Sequence, residues 1–164
     1  MFVDPLTKIK GISELGRIVS EARAAGRKVV FGNGCFDLIH VGHIRYLQGA
    51  KALGDLLVVG INSDASVRAL KGAGRPLQAQ DDRAQIIASL ECVDLVVLFD
   101  APTVSDLLLA LKPDIHAKGT DYTAGSVPER DDVRSYGGQV AIVGDPKGHS
   151  SRDLIAAVLA RMRS

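Results

Sequence analysis

Two histidines three residues apart carry the clearest chemical signal in the sequence. His40 and His43 enclose Val41-Gly42 and follow the segment Gly32-Asn33-Gly34, which ends a short apolar run. Glycines after a strand let the backbone approach a ligand closely, and free N–H groups at a helix start bind phosphate oxygens. Histidines beside such N–H groups therefore predict a phosphate site, in which Asp37 would hold Mg²⁺ or orient a histidine.

Basic and hydroxyl side chains recur in later segments that the same chemistry would use. Glycines flank Lys71 and Arg75, as a mobile loop closing over phosphates requires. Arg83 begins a predicted helix, where a cation opposes the helix dipole, so we expect it to have another partner, such as a phosphate. Ser150 and Ser151 begin the last predicted helix, where hydroxyls and free N–H groups suit phosphate oxygens.

Two common phosphate-binding motifs are absent from the sequence. The pattern G-x-x-x-x-G-K-[ST] does not occur. Neither G-x-G pair extends to G-x-G-x-x-G, because Asp37 and Leu77 occupy the third glycine positions. A zinc site on the two histidines lacks a third ligand nearby.

The elements that must position these residues alternate between apolar strands and helices. Strands are predicted at 28–31, 55–61, 93–99, 114–117 and 139–143, and helices at 13–25, 41–53, 63–70, 81–90, 102–111, 129–136 and 150–162. Ser13 is expected to cap the first helix, and His116 to pack within its strand. Apolar strands separated by helices predict a five-stranded parallel sheet covered on both faces, with ligands at the carboxyl ends of its strands.

Composition restricts the kind of protein. The chain has 164 residues, which suits a single domain over 1–164, with 1–26 as a helical extension. A formal net charge of +1 argues against general nucleic-acid binding. No apolar run reaches the ~18 residues of a membrane span, and the N-terminus does not resemble a secretory signal. Cys35 and Cys92 suit a reducing cytoplasm, with Cys92 expected to be buried.

The first motif also supports a family resemblance. Asn33-Gly34-Cys35-Phe36-Asp37 followed by His40-Val41-Gly42-His43 resembles the H-x-G-H signature of the cytidylyltransferase-like nucleotidyltransferases. The resemblance extends from Val29 to about Ile155 and implies a Rossmann-like fold. Gly148-His149-Ser150-Ser151-Arg152 resembles the family's second signature, with Ser151 where many members have threonine. Members transfer a nucleotidyl group from a nucleoside triphosphate to a phosphorylated acceptor and release pyrophosphate.

One further segment resembles a narrower group within the family. Lys118-Gly119-Thr120-Asp121-Tyr122 is similar to the K-G-x-D-Y segment of heptose 1-phosphate adenylyltransferases. The resemblance implies transfer of AMP from ATP to D-glycero-D-manno-heptose 1-phosphate, giving ADP-heptose for lipopolysaccharide or another surface glycan. It also implies a free-standing cytoplasmic enzyme, with a separate sugar kinase upstream, and suggests a homodimer.

Two alternatives stay open at this point. A CTP-dependent cytidylyltransferase acting on glycerol 3-phosphate or a similar alcohol phosphate would share the first motif. A nucleotide-binding module without turnover would share the fold. The residues themselves leave the choice between adenine and cytosine open.

The resemblance also implies roles for individual residues. His43 is assigned to the α-phosphate, His40 to the triphosphate, and the serines of the last helix to its β/γ end, while Mg²⁺ bridges phosphate oxygens with few direct protein ligands. The predicted catalytic residues are His43, His40 and Arg83. The predicted nucleotide-binding residues are Asn33, Gly34, Cys35, Phe36, His40, His43, Gly119, Ser150 and Ser151. The predicted acceptor-binding residues are Asp37, Asp64, Lys71, Arg75, Lys118 and Asp121, since carboxylates accept sugar hydroxyls well and lysine pairs with phosphate.

Overall fold

A five-stranded parallel sheet forms the centre of the protein. The computed structural model describes residues 1–146 and 148–163, and within them the strands are β1 (Val29–Gly34), β2 (Leu56–Asn62), β3 (Leu95–Phe99), β4 (Ile115–Lys118) and β5 (Gln139–Ile142). Their spatial order is β3-β2-β1-β4-β5, and every neighbouring pair is parallel. The predicted α/β class and sheet are therefore confirmed.

Helices connect the strands and cover both faces of the sheet. The described residues form α1 (Ile12–Ala24), α2 (Val41–Lys51), α3 (Asp64–Lys71), α4 (Gln80–Ala88), α5 (Ser105–Leu111), α6 (Arg130–Ser135) and α7 (Ser151–Met162), after a 3₁₀ turn at Pro5–Lys8. No helix among them is both long enough and apolar enough to cross a membrane.

Among the described helices, most starts lie within one residue of the prediction, but the cap of α1 and the start of α5 differ from it. Gly11, not Ser13, is the N-cap residue of α1, and no side chain caps that helix. Helix α5 begins at Ser105 rather than Pro102, because residues 101–104 form bends. The Ala101 carbonyl accepts the Ser66 hydroxyl at 2.9 Å, which holds the first of these residues against α3.

Alternation along the strands divides the apolar core into two layers. Phe31 and Val58 point into a layer completed by α1 and α5, which includes Leu15 of α1. Val30 and Leu57 point into the layer completed by α2 and α4. The N-terminal segment 1–26 thus supplies core residues through α1. Cys92 is only half-buried against the second layer, because it lies in the turn before β3.

The strand order determines where a ligand can bind. The chain moves from β1 outward to β2 and β3, and then crosses back to place β4 on the other side of β1. Parallel sheets bind ligands outside the carboxyl ends of their strands at such a reversal. The segments that follow β1 and β4 meet there.

Candidate active site

A cleft of about 910 Å³ opens at the carboxyl ends of β1, β2 and β4. It brings together most of the residues predicted from the sequence: Asn33, Gly34, Cys35, Phe36, His40, His43, Lys71, Arg75, Lys118, Gly119, Asp121, Ser150 and Ser151 all line it. The three predicted residues outside its lining are Asp37, Asp64 and Arg83. Residues far apart in sequence therefore share one site.

The two histidines of the first motif are locked by the backbone at the start of α2. His40 Nδ1 accepts the Gly42 N–H at 3.1 Å, and His43 Nδ1 accepts the His40 N–H at 3.3 Å. The rings stack with their centroids 3.8 Å apart. A neutral ring whose Nδ1 accepts a hydrogen bond carries its proton on Nε2. Each ring thus has an Nε2–H group as its remaining donor.

Burial keeps both rings neutral. It is the main cause that lowers the pKa of His43 to about 4, and nearby His40 and Lys71 add to the effect. Burial is also the main cause that lowers the pKa of His40, and nearby His149 lowers it further. The pair therefore offers hydrogen-bond donors at pH 7 without charging and discharging.

At two positions of the site, glycine leaves room for a neighbouring side chain. A β-carbon on Gly42 would lie 2.9 Å from the His40 ring, closer than real contacts allow. A β-carbon on Gly32 would lie 2.7 Å from the Tyr46 hydroxyl, which donates to the Ala117 carbonyl at 2.7 Å. The glycine between the histidines thus makes room for their stacking.

Asp37 fastens the β1 loop (residues 35–40) to the basic loop (residues 72–79). Its buried carboxylate accepts Arg75 Nε at 2.8 Å and the backbone N–H groups of Leu77 and Gln78 at 2.8 and 3.1 Å. Burial raises its pKa, but these hydrogen bonds outweigh burial and leave the pKa below its usual value. Asp37 therefore joins two loops here, and its predicted contact with Mg²⁺ or the acceptor does not fit this placement.

Arg83 is also a structural centre rather than part of the cleft wall. Its guanidinium is fully buried and donates to the carbonyls of Gln78 at 2.9 Å, Cys35 at 2.7 Å and Asn62 at 2.9 Å, and to Asp64 at 2.8 Å. The sequence predicts another partner for Arg83 because a cation at a helix start opposes the helix dipole, and these acceptors fill that place. As placed, Arg83 and Asp64 position the loops, and a phosphate or sugar contact would require them to leave this network.

The β1 loop adopts a backbone conformation that must be held by its neighbours. Phe36 and Leu38 have φ values of +50° and +56°, in the left-handed region that costs a non-glycine residue about 1–2 kcal/mol. The Leu38 N–H donates to Gln78 Oε1 at 3.1 Å, and the Ser151 hydroxyl donates to the Leu38 carbonyl at 3.1 Å and to the Asp37 carbonyl. The basic loop and α7 thus stabilise the loop between β1 and the histidines.

The two serines of α7 use their hydroxyl groups within the protein. Ser150 is the N-cap residue, and its Oγ accepts the Asp153 N–H at 3.0 Å. Ser151 is bound to the β1 loop as described above. The first N–H groups of a helix lack intrahelical acceptors, so the backbone at the start of α7 remains suited to an anion.

The opposite wall contains a buried lysine. Lys118 is only 8% exposed, and its Nζ lies 4.5 Å from the centroid of the Tyr122 ring. Burial lowers the pKa of Lys118, and Glu129 opposes that effect. Glu129 is 5% exposed, and its Oε2 has no hydrogen-bond partner among the described residues. Sequence reasoning missed Glu129, because it precedes Arg130-Asp131-Asp132 in what resembles a solvated charge run.

His116 packs beneath the cleft as predicted. It is fully buried, and its Nε2 lies 2.9 Å from Asn33 Oδ1. Burial, with a contribution from Lys118, lowers its pKa to about 3. A neutral His116 therefore orients Asn33, a residue of the cleft lining.

Comparisons with known proteins identify the family of the chain. The cytidylyltransferase-like family model matches residues 31–156. The bifunctional protein HldE of Trichlorobacter lovleyi is 51% identical over 158 residues, covering 96% of this chain and 32% of that protein. HldE of Geobacter sulfurreducens is 49% identical over 152 residues, covering 93% of this chain and 31% of that protein. The chain thus spans about a third of the length of these curated relatives.

Solved structures give the same fold. A lipopolysaccharide core biosynthesis protein from Thermoplasma volcanium is 31% identical, with a TM-score of 0.63 and coverage of 76% of this chain and 100% of that chain. A pantoate-beta-alanine ligase from Francisella tularensis is 16% identical, with a TM-score of 0.66 and coverage of 90% of this chain and 72% of that chain. The second likeness concerns the fold alone.

Proposed function

The chain belongs to the cytidylyltransferase-like family of nucleotidyltransferases, and from that premise we propose that it transfers AMP from ATP to D-glycero-D-manno-heptose 1-phosphate. The products are ADP-heptose and pyrophosphate. The observation that carries the reaction class is the pair of neutral histidines, each with Nδ1 bonded to the backbone. The Lys118–Tyr122 segment supports the heptose, and the similarity to a lipopolysaccharide core biosynthesis protein supports a role in lipopolysaccharide synthesis.

The proposed reaction requires positioning more than acid–base chemistry. An anionic oxygen of the acceptor phosphate attacks the α-phosphorus of ATP, and the bond from that phosphorus to the β-phosphate bridging oxygen breaks. No proton has to be removed from the nucleophile. Neutral His43 donates to the α-phosphate as charge develops, and His40 donates farther along the triphosphate. Donors already in place lower the barrier because they need not reorganise during the reaction.

Magnesium belongs to the substrate in this proposal. No group of three or more His, Cys, Asp or Glu side chains within residues 1–146 and 148–163 could hold a metal ion. The Asp37 carboxylate is occupied by Arg75 and two backbone N–H groups. We therefore assign Mg²⁺ to triphosphate oxygens and water, a form of binding that suits its preference for few protein ligands.

The acceptor would bind between the basic loop and the wall of β4. Arg75 uses Nε for Asp37, while its buried Nη2 lacks a hydrogen-bond partner among the described residues. Arg75, Lys71 and Lys118 all line the cleft. These cations suit the acceptor phosphate, and Asp121 suits a sugar hydroxyl.

The proposal extends to the setting of the enzyme. We propose that it works in the cytoplasm as a homodimer, that a separate sugar kinase supplies the heptose 1-phosphate, and that ADP-heptose serves lipopolysaccharide or another surface glycan.

Pyrophosphate release tests the proposed function. ATP and CTP are each combined with heptose 1-phosphate and glycerol 3-phosphate in the presence of Mg²⁺, with His43→Ala as the inactive control. We expect release with ATP and the heptose only. Release with CTP and glycerol 3-phosphate would identify the alternative cytidylyltransferase. ATP binding without release in any combination would favour a non-catalytic module.

A further inference from the structure

A third histidine lies on the nucleotide side of the cleft, and no motif assigns its side chain a role. His149 is exposed, lines the cleft and immediately precedes Ser150, the N-cap residue of α7. Its ring centroid lies 6.3 Å from that of His40. Its β-carbon lies 3.4 Å from the point that a β-carbon on Gly42 would occupy. His149 therefore reaches from α7 over the first turn of α2.

The bonding of His149 differs from that of the other two cleft histidines. His40 and His43 each use Nδ1 to accept a backbone N–H group. Among the described residues, no hydrogen bond or ion pair involves the His149 ring. Both of its ring nitrogens thus remain available to a ligand in the cleft.

The surroundings of His149 favour an extended anion. The N-termini of α2 and α7 meet beside it, and each carries partial positive charge from its unpaired N–H groups. Arg152 lines the same wall and adds a positive charge. Asp153 is the acidic side chain there, and it raises the pKa of His40. Negative phosphate groups along this wall would oppose the lowering of the His40 pKa that His149 causes.

We infer that His149 is a further substrate-binding residue, which donates a hydrogen bond to the β- or γ-phosphate of ATP and holds the pyrophosphate as it leaves. The inference rests on the proposed function. His43 is the buried ring of the stacked pair, and the proposed function assigns it to the reacting α-phosphate. His40 contacts both other rings, and exposed His149 lies toward the outer end of the wall. The three imidazoles thus follow the triphosphate from the reacting centre outward.

Calorimetry of ligand binding tests this inference without an acceptor. Dissociation constants are measured for tripolyphosphate, Mg²⁺–ATP and AMP with the wild type, His149→Ala and His149→Gln. We expect His149→Ala to weaken tripolyphosphate and Mg²⁺–ATP binding about tenfold and to leave AMP binding within about twofold. His149→Gln, which keeps an N–H donor, should recover part of the loss. Arg27→Ala, just before the amino end of β1 and outside the cleft lining, controls for the loss of an exposed side chain.

Steady-state kinetics add a second readout. His149→Ala should raise KM for ATP with kcat within about twofold, because the contact is made before and during the reaction. Unchanged tripolyphosphate and ATP affinity in His149→Ala would overturn the inference, and so would an equal loss of AMP affinity. Failure of the wild type to use heptose 1-phosphate would overturn the proposed function instead, while the tripolyphosphate measurement would still decide the role of His149.

Discussion

The two walls of the cleft are held in different ways. On the nucleotide wall, His40 and His43 are fixed by hydrogen bonds to backbone groups within three residues of themselves. On the acceptor wall, Lys118 lies over the Tyr122 ring and is influenced by the charge of Glu129, eleven positions along the chain. Backbone hydrogen bonds fix a direction, whereas a ring face and a distant charge determine mainly whether an ammonium stays charged. We therefore expect the nucleotide wall to determine the reaction geometry and the acceptor wall to determine which acceptor binds.

The largest expected effect is on the nucleotide wall. His43→Ala removes a donor aimed at the reacting phosphate, so we expect kcat to fall about 10²–10³-fold, a typical loss for one transition-state donor. Binding of AMP should change little. Burial lowers the pKa of His43 to about 4, so this residue does not change its protonation between about pH 6 and 8. The wild-type kcat should therefore show no pH dependence from His43 in that range. A fall in kcat of less than about tenfold would contradict the role of His43.

A smaller loss is expected when the geometry of this wall is disturbed but its donors remain. In Gly42→Ala, the added β-carbon lies 2.9 Å from the His40 ring, so the stacked pair must shift. We expect kcat/KM to fall about 10–100-fold, since misplacement of about 1 Å can have that effect. Gly16→Ala in α1 is the matched control, because its β-carbon meets nothing within 4 Å. Equal activity of the two variants would mean that stacking is unnecessary.

These two variants concern the part of the site that was predictable from sequence. The histidines and their glycine interact within one helix turn, so their spacing alone predicts their contact. The roles of Asp37 and Arg83 depend on burial and on partners up to 48 positions away, which residue type does not indicate. Residue type and sequence position predict a ligand contact for each of them, whereas their protein partners become visible only in the folded structure.

The fold shows the same division between local and distant information. Buried runs such as Leu56–Asn62 predict parallel strands, because both faces of the sheet are covered. A helix start depends on the backbone as well as on side-chain type: Ser13 has a suitable capping side chain, but the N-cap residue of α1 is Gly11, two residues earlier.

On the acceptor wall, Glu129→Gln should change a pH dependence rather than the maximal rate. Burial lowers the pKa of Lys118 and Glu129 raises it, so removing the carboxylate lowers that pKa further. The charged ammonium binds phosphate, hence its loss begins at lower pH in the variant. Among the described residues, the Tyr122 ring and His116 also lie near Lys118, and burial lowers the pKa of His116 to about 3, so that it stays neutral.

The measurement is KM for the acceptor as a function of pH. We expect the alkaline fall of kcat/KM to begin at lower pH in the variant, with KM raised several-fold at alkaline pH and less near neutral pH. Asp131→Asn is the matched control, because Asp131 is an exposed acid two residues away. A limb that stays in place, or moves equally in the control, would show that Glu129 does not maintain the charge of Lys118.

The smallest effect is expected at Tyr122, whose ring lies 4.5 Å from Lys118 Nζ. Tyr122→Leu removes a cation–π contact of about 0.5–1 kcal/mol, so KM for the acceptor should rise about two- to fivefold while kcat stays near its wild-type value. Tyr122→Phe keeps the aromatic face and should behave like the wild type. If Phe and Leu raise KM equally, the phenol hydroxyl rather than the ring matters for the acceptor. If either lowers kcat as strongly as Gly42→Ala, the acceptor wall takes part in reaction geometry, and the division between the two walls is wrong.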